Sequence, residues 1–397
     1  MFDSITFKAS TTPGQVLDVG AIAESLIFYG RVSIVGHVSV LQHLLKEIPP
    51  FVFLQLLESG RLEFHYEEKV SAVHTRTLPS GEVHDFCLMS ADNHRLEFAA
   101  PVAFREATAD TPQARLGAKK LVKLLKVREQ GGGNEALGSI VRDNVGLNNA
   151  IENALRVVVP SYEIPDGFFF HADIVSGHGI VVETNLDWAA VNAEYHRSVS
   201  PAHSTLSQAY LLGLIQAAHE SIEVAASFNT EIAADPIDVA INTAALQTIV
   251  RQNQESKTQI HQFTEMTLES RAIRDAVNQK RVPFAAVVRL LDKADKFRDW
   301  LRKLDGDARL VNEFYKSATE KTWAEKLAES KVRYLFFTGA GVALDLALGT
   351  SGAATAATTA VSAFDGLVLD KLVRGWKPHH FVEKSLKPLV AGGKHRR

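Results

Sequence analysis

The sequence is poor in the residues and motifs that mark secreted proteins and common enzymes. Its single cysteine, Cys87, excludes an intramolecular disulfide framework and any cysteine-rich zinc site. It has no P-loop, no GxSxG nucleophile elbow, no SxxK pair and no HExxH helix. These gaps favour a binding or assembling protein over an enzyme, and they predict no cofactor.

Histidine, the residue most typical of transition-metal sites that this chain has in number, occurs at 15 positions. Two sets could converge on a transition metal if the fold brought them together. They are His65, His74 and His84, and His171, Asp173 and His178. Histidines that face solvent or fill polar gaps in strands are more common, so the sequence predicts no metal site.

Composition and charge fit a globular chain with an unusual end. At 397 residues, with 46% apolar and 22% charged residues, it is long enough for two or three modules. The formal net charge is −3, yet from Lys371 onward there are eight basic residues and one acid, Glu383. A basic end directly after the most apolar segment is typical of a membrane flank or of contact with an anionic surface.

The first residues lack the layout of a signal peptide, so we expect a cytoplasmic protein, inner-membrane-associated if residues 334–370 insert.

We expect an α+β fold, with helices and antiparallel strands mixed in residues 1–112. ITFKAS and RVSIV predict strands, and AIAESLIFYG, SVLQHLLKEI and FVFLQLLESG predict helices, the last two ended by proline and glycine. From Arg61 the hydrophobic period changes to two. RLEFHYEE, SAVHTRT, EVHDFCLMS and RLEFAAPVAF therefore predict strands, with a turn at LPSG.

Residues 113–187 are predicted to complete this region. They begin with a basic amphipathic helix, and a glycine-rich joint, a helix up to Pro160 and a hairpin of FFFHADIV and GIVVETN follow. A solvated or dimer-packing face is the more common role of such a helix, and its cations also form the best local cluster for any phosphate contacts. The anion-binding candidates are Lys119, Lys120, Lys123, Lys126 and Arg128.

Strand patterns cease after Asp187, and three further segments follow. Residues 188–330 predict a helical bundle, 331–390 an apolar helical hairpin with a basic flank, and 391–397 a tail. The hairpin contains YLFFTGAGVALDLALGTSGAATAATTAVSAFDGLVLD, residues 334–370. Its TGAGV has the glycine spacing of a nucleotide loop, but too little chain follows it for a dinucleotide fold. We interpret it as the small-residue start of a helix.

Membrane insertion of this hairpin is finely balanced. A turn at GTSGA leaves arms of 334–348 and 354–370, each on the order of 25 Å long against a hydrocarbon core of ~30 Å. The aspartate in each arm costs roughly 2.5–3.5 kcal/mol, while each Leu, Val or Phe returns about 0.3–0.6 kcal/mol. One arm alone should not insert stably, whereas an assembled pair could line a water path. The pore candidates are Asp345, Asp365, Gly339 and Gly341.

The layout of an α/β region, a helical bundle and a small-residue apolar hairpin resembles membrane effectors of bacterial anti-phage systems, such as the channel component of Hailong-type systems. The resemblance rests on that architecture and on YLFFTGAGVALDLAL and LVLDKLVRGWKPHHFVE, not on a catalytic motif. It implies a homo-oligomer whose soluble region gates a membrane segment. It also implies an oligonucleotide or nucleotide ligand made by a partner nucleotidyltransferase.

The expected function is therefore a membrane-acting effector or channel-like oligomer of the anti-phage type. Two alternatives stay open. One is a soluble ligand-binding or protein-interaction module in which the alanine-rich hairpin is buried. The other is a hydrolase in the α/β half whose catalytic residues come from distant positions.

Overall fold

The computed structural model describes most of the first 242 residues and three later pieces. The described residues are 4–9, 16–90, 95–109, 111–129, 141–175, 179–199, 205–228, 230–234, 237–238, 240–242, 272–295, 298 and 335–337. Nearly all of the predicted apolar hairpin lies outside them, including Asp345, Asp365, Gly339 and Gly341.

Helices and strands are interspersed along the described part of the chain. The helices are α1 (Val19–Phe28), α2 (Val38–Glu47), α3 (Pro50–Glu58), α4 (Leu96–Glu106), α5 (Pro112–Leu124), α6 (Asn144–Val158), α7 (Trp188–Ser198), α8 (Gln208–Phe228), α9 (Ala272–Asn278) and α10 (Phe284–Val288). The strands are β1 (Ser4–Lys8), β2 (Arg31–Gly36), β3 (Leu62–Glu67), β4 (Lys69–Leu78), β5 (Gly81–Ser90), β6 (Lys126–Arg128), β7 (Phe170–Ile174), β8 (Ile180–Thr184), β9 (Glu231–Ala234) and β10 (Leu335–Phe337).

Six strands form a largely parallel sheet with the order β10-β9-β1-β2-β3-β6. β1 pairs in parallel with β2 and β9, β2 with β3, and β3 with β6, while β10 runs antiparallel to β9. The chain moves outward from β1 to β6 and then returns to the other side of β1 to form β9. The direction of winding therefore reverses between β1 and β9.

One face of this parallel sheet is apolar and carries the first core. Ile5, Ile34 and Phe64 lie at its centre and are fully buried. Helices α1 to α5 cover the face, together with α9 and α10 from far along the chain. The helices begin where their sequences provide caps, for example at Asp18, whose side chain accepts a hydrogen bond from the Ala21 N–H.

Four strands form an antiparallel sheet with the order β4-β5-β8-β7, which confirms the predicted mixture of helices and antiparallel strands. The β4–β5 hairpin turns at the predicted LPSG, where Gly81 has a φ of 129°. Helices α6, α7 and α8 pack with this sheet into a second core around Leu147, Phe170 and Leu211. Since β4 follows β3 almost directly, the two sheets are joined at the carboxyl end of β3.

Several sequence predictions differ from the observed elements. RLEFAAPVAF is not a strand but most of α4, because Leu96, Ala99, Ala100, Ala103 and Phe104 form a buried stripe at helical spacing. The predicted basic helix ends at Leu124, and Lys126–Arg128 then joins the parallel sheet as β6.

The segment predicted to be a helical bundle contributes to both cores. α7 and α8 pack in the second core, whereas α9 and α10 pack on α1 in the first. This segment also contains β9, and the predicted first arm of the hairpin contains β10, so strand structure continues beyond Asp187.

Within the described part of the chain, no helix combines the length and the apolar character needed to cross a bilayer.

Candidate functional site

The second face of the parallel sheet is polar, which is unusual for parallel strands because both of their faces are normally apolar. Alternation along β1, β2 and β3 places Thr6, Ser33 and Glu63 opposite the first core. Both Thr6 and Ser33 are buried, so this face is covered rather than open to solvent. Part of that cover is α8, which contacts β1 and β9 on one side and β4 on the other.

Lys8, at the carboxyl end of β1, is the centre of a buried charged group on this polar face. Its side chain is only 6% exposed, and its ammonium donates a hydrogen bond to Glu220 Oε2 of α8 at 2.8 Å. The hydroxyl of Ser71 in β4 donates to the other oxygen of Glu220. One carboxylate therefore connects the parallel sheet, α8 and the antiparallel sheet.

A second ion pair, between a buried carboxylate and a half-buried guanidinium, lies at the carboxyl ends of β3 and β6. Arg128 donates to Glu67 Oε1 at 2.6 Å, and the two residues are direct neighbours in the strand register. We call Lys8, Glu67, Ser71, Arg128 and Glu220 the switch-point cluster, because Lys8 lies on β1, beside the point where the winding of the sheet reverses. Glu67 and Arg128 lie at the same carboxyl edge, two and three strands away from β1. Ligands of open α/β sheets bind at this position, outside the carboxyl ends of the strands.

The pKa values show that the two pairs act on each other. Burial alone would lower the pKa of Lys8, but the negative charges of Glu220 and Glu67 overcome this effect and raise it. Burial raises the pKa of the Glu67 carboxyl, and the positive charges of Lys8 and Arg128 only partly offset that shift. Asp238 adds a further negative charge near Lys8 and accepts a hydrogen bond from the Ser221 hydroxyl at 2.7 Å. The two acids and two cations of the cluster are therefore joined by a third acid, Asp238.

A shallower charged group continues along the same face toward the amino ends of the strands. Glu63 is paired with Lys126 at 3.0 Å, with Arg31 at 3.7 Å and with His65 at 3.3 Å. Burial lowers the pKa of His65, and its ring lies 4.3 Å from that of Phe228 at the end of α8. These residues close the polar face between β3 and α8.

The amino end of α1, where doubly wound folds often hold a phosphate, is occupied by the chain itself. Asp18 accepts from the Ala21 N–H and from the Arg274 guanidinium, and Asn278 accepts from the Gly20 N–H at 2.8 Å. Arg274 and Asn278 approach so closely that a Cβ on Gly20 would lie 2.3 Å from the Arg274 carbonyl oxygen. This helix end therefore serves as a docking point for α9.

The five predicted anion-binding residues do not form one surface. Lys119, Lys120 and Lys123 lie exposed on α5, and Lys120 is paired with Glu58. Lys126 is exposed on β6 and paired with Glu63, and only Arg128 belongs to the switch-point cluster.

The two histidine sets also have no common site. Among the described residues, no group of three metal-ligating side chains is close enough to hold an ion, and His178 lies outside them. His84 is buried instead as a structural residue of the second sheet. Its ring is within 2.9 Å of the Thr75 hydroxyl and of the Gln208 side-chain oxygen.

Sequence reasoning missed Lys8, Glu67 and Glu220. The alternation in ITFK and LEFHYE placed Lys8 and Glu67 on polar strand faces but gave no sign that these faces are covered. Glu220 lies 212 residues from Lys8, inside a helix whose pattern predicts only amphipathic packing.

Neither protein-family models, nor curated proteins, nor solved structures give a match to this chain. No residue role can therefore be carried over from a relative, and the switch-point cluster is identified from geometry and charge alone.

Proposed function

We propose that this protein is a ligand-regulated, membrane-acting effector that works as a homo-oligomer. In this proposal the α/β region binds a nucleotide-derived anion, and the apolar segment 334–370 acts on the membrane. The protein would be cytoplasmic, with that segment at the inner membrane. A partner enzyme would supply the ligand.

The observation that carries the proposal is the switch-point cluster. Two cations, the buried Lys8 and the half-buried Arg128, lie at the carboxyl edge of the sheet, where α/β folds bind ligands, and each is paired with a carboxylate. Phosphate oxygens accept the same hydrogen bonds as carboxylate oxygens, so an anionic ligand can compete for these cations. Displacement of Glu220 would also release Ser71, and with it a contact between α8 and the antiparallel sheet.

The membrane part rests on sequence. Residues 346–364 are an uncharged block, flanked by Asp345 and Asp365 and followed by the basic end, and the expected turn at GTSGA divides it between the two arms of the hairpin. Intramembrane acids favour an assembled, water-lined arrangement over single helices, which is why the proposal includes an oligomer.

Fractionation of the full-length protein tests the membrane part. We expect it in the membrane fraction, extracted by detergent as an oligomer. Complete recovery in detergent-free extract at every expression level would contradict the proposal and favour the soluble binding module with a buried hairpin.

Ligand binding is tested by thermal shift with a panel of nucleoside polyphosphates, linear and cyclic oligonucleotides, and inorganic pyrophosphate. We expect at least one to raise the melting temperature of the wild type, and Lys8→Met to abolish that shift. Lys69→Met, at an exposed position of β4, is the matched control and should behave as the wild type. Turnover of a ligand rather than binding would favour the hydrolase alternative. If Lys8→Met shows the same increase in melting temperature as the wild type, the ligand binds outside the switch-point cluster.

A further inference from the structure

Helices α4 and α5 carry an outward face in which large apolar side chains alternate with cations. Phe98 and Val102 of α4 are 58% and 42% exposed, and Leu116 of α5 is 68% exposed. Around them lie the exposed cations Arg105, Lys119 and Lys123. We call these six residues the α4–α5 ridge.

The helical geometry shows that these side chains point away from the core. In α4 the buried stripe is Leu96, Ala99, Ala100, Ala103 and Phe104, and in α5 it is Ala114, Gly117, Ala118 and Leu121. At 100° per residue, Phe98, Val102 and Arg105 lie opposite the first stripe, and Leu116, Lys119 and Lys123 lie opposite the second.

The two helices also pack side by side, so their outward faces adjoin. A Cβ on Gly117 of α5 would lie 2.8 Å from the ring of Phe104 in α4, and Phe104 in turn makes an edge contact with Phe51 of α3. The six residues of the ridge therefore lie on two adjoining helices of the first core.

We propose that the α4–α5 ridge is the surface by which the α/β region lies on an anionic lipid membrane. This inference rests on the membrane-acting function proposed above and adds a second contact, distinct from segment 334–370. Protruding Phe, Val and Leu side chains fit the boundary between headgroups and acyl chains, and cations beside them fit the headgroup phosphates.

The charge of the ridge favours this occupant over a protein partner. α5 contains no acidic residue from Pro112 to Leu124, and the two acids of α4, Glu97 and Glu106, lie to the sides of its outward face. Protein interfaces are depleted in lysine, whereas membrane-surface helices are rich in it on their polar face. Lys119 and Lys123 are exposed, and neither has an ion pair among the described residues.

A local probe on full-length protein tests this surface. The native cysteine is replaced by Cys87→Ala, and Leu116→Cys carries an environment-sensitive dye. We expect vesicles containing phosphatidylglycerol to shift the dye emission to the blue, and vesicles of phosphatidylcholine alone to shift it much less. The shift should weaken as salt is added, because the lysine contacts are screened.

Co-sedimentation with the same vesicles measures the contribution of the cations. Lys119→Gln with Lys123→Gln should lower the partition coefficient about 25-fold on phosphatidylglycerol vesicles, or about fivefold for each lysine. Lys69→Gln with Lys293→Gln removes the same charge at exposed positions outside the ridge and should change partitioning far less. A Phe98→Ser/Leu116→Ser pair should lower partitioning on the order of tenfold or more through lost apolar contact.

The outcomes separate this inference from the proposed function. If the protein binds vesicles but the dye on residue 116 stays in water, the ridge is not the contact, and segment 334–370 remains the membrane anchor. If the dye is shielded before vesicles are added, another part of the chain or a second copy covers the ridge. A dye shift caused by an oligonucleotide and not by vesicles would make the ridge a nucleic-acid surface. Each of these results overturns the inference without bearing on fractionation.

Discussion

At the scale of single residues, an ionisable side chain is buried far from solvent at the contact between α1 and α9. Glu24 in α1 is almost fully buried and accepts a hydrogen bond from the Arg274 N–H of α9 at 3.2 Å. Burial raises the pKa of its carboxyl to about 8, a shift that the nearby Arg274 only partly offsets. Glu24 is therefore protonated and uncharged at neutral pH in the folded protein, where it lies at the α1–α9 contact.

This protonation makes stability depend on pH. In the folded protein the pKa of Glu24 is about 8, above the ordinary glutamate value of 4.5. The stability that comes from keeping this carboxyl protonated in the fold is therefore fully present below pH 4.5 and is lost as the pH rises through 8. Between these values the folded state binds one more proton, and the free energy of unfolding should fall by about 1.4 kcal/mol per pH unit. Urea unfolding from pH 5 to 9 measures this slope.

Glu24→Gln should remove that slope, because glutamine keeps the acceptor oxygen and does not titrate. The variant and the wild type should have similar stability near pH 5, and the variant should be the more stable of the two at pH 9. Glu97→Gln, at an exposed position of α4, serves as the control and should keep the wild-type slope. Equal slopes for Glu24→Gln and the wild type would show that Glu24 is charged in the fold.

At the scale of elements, α1 and α9 are held by contacts too close for a larger residue. Gly20 has no Cβ, and one placed there would lie 2.3 Å from the Arg274 carbonyl oxygen and 2.6 Å from the Asn278 side chain. Gly20→Ala should therefore push α9 off α1 and cost about 1–3 kcal/mol. Hydrogen exchange of the amides in Ala272–Asn278 measures this undocking.

Gly213 in α8 provides the matched control for that substitution. A Cβ on Gly213 would have Val73 Cγ2 as its nearest neighbour, at an ordinary contact distance of 3.8 Å. Gly213→Ala should thus be neutral or stabilise the protein by up to about 1 kcal/mol, since alanine is the better helix former. Faster exchange in Ala272–Asn278 for Gly213→Ala than for Gly20→Ala would contradict the role given to the α1–α9 contact.

The elements also show how far the sequence predicts this fold. Most helices and the β4–β5 and β7–β8 hairpins follow from local periodicity and turn residues. The parallel sheet does not, because the alternation of RVSIVG and LEFHYE is typical of a sheet with one solvated face. That face is polar and yet covered by α8, and the pairing of β1 with β9 joins segments more than 200 residues apart.

The candidate site was less predictable than the fold for the same reason. Arg128 could be named from a local run of basic residues, but its partner Glu67 and the neighbouring Lys8 come from other strands. Lys119, Lys120 and Lys123 share that run and lie apart from the cluster, because the helix ends at Leu124. Local composition identifies charges, and only the tertiary fold brings those of the switch-point cluster together.

At the scale of the whole molecule, the Lys8–Glu220 pair lies between the two cores. Lys8 belongs to the sheet of the first core, and Glu220 to α8, whose residues Leu211 and Leu214 are buried in the second. Since both charges are desolvated, removal of one leaves the other uncompensated. The pair thus makes the stability of each core depend on the other.

A double-mutant cycle tests this coupling. Lys8→Met alone should destabilise the protein by about 3–5 kcal/mol, because Glu220 is left buried without its cation. Adding Glu220→Leu should recover most of that loss, since no buried charge then remains unpaired. Urea unfolding measures the free energies, and hydrogen exchange reports whether amides of both cores are affected.

The exposed pair Glu152–Arg156 of α6 is the control, with an expected coupling of about 0.5 kcal/mol. Additive effects of the two cluster substitutions would mean that the pair does not couple the cores.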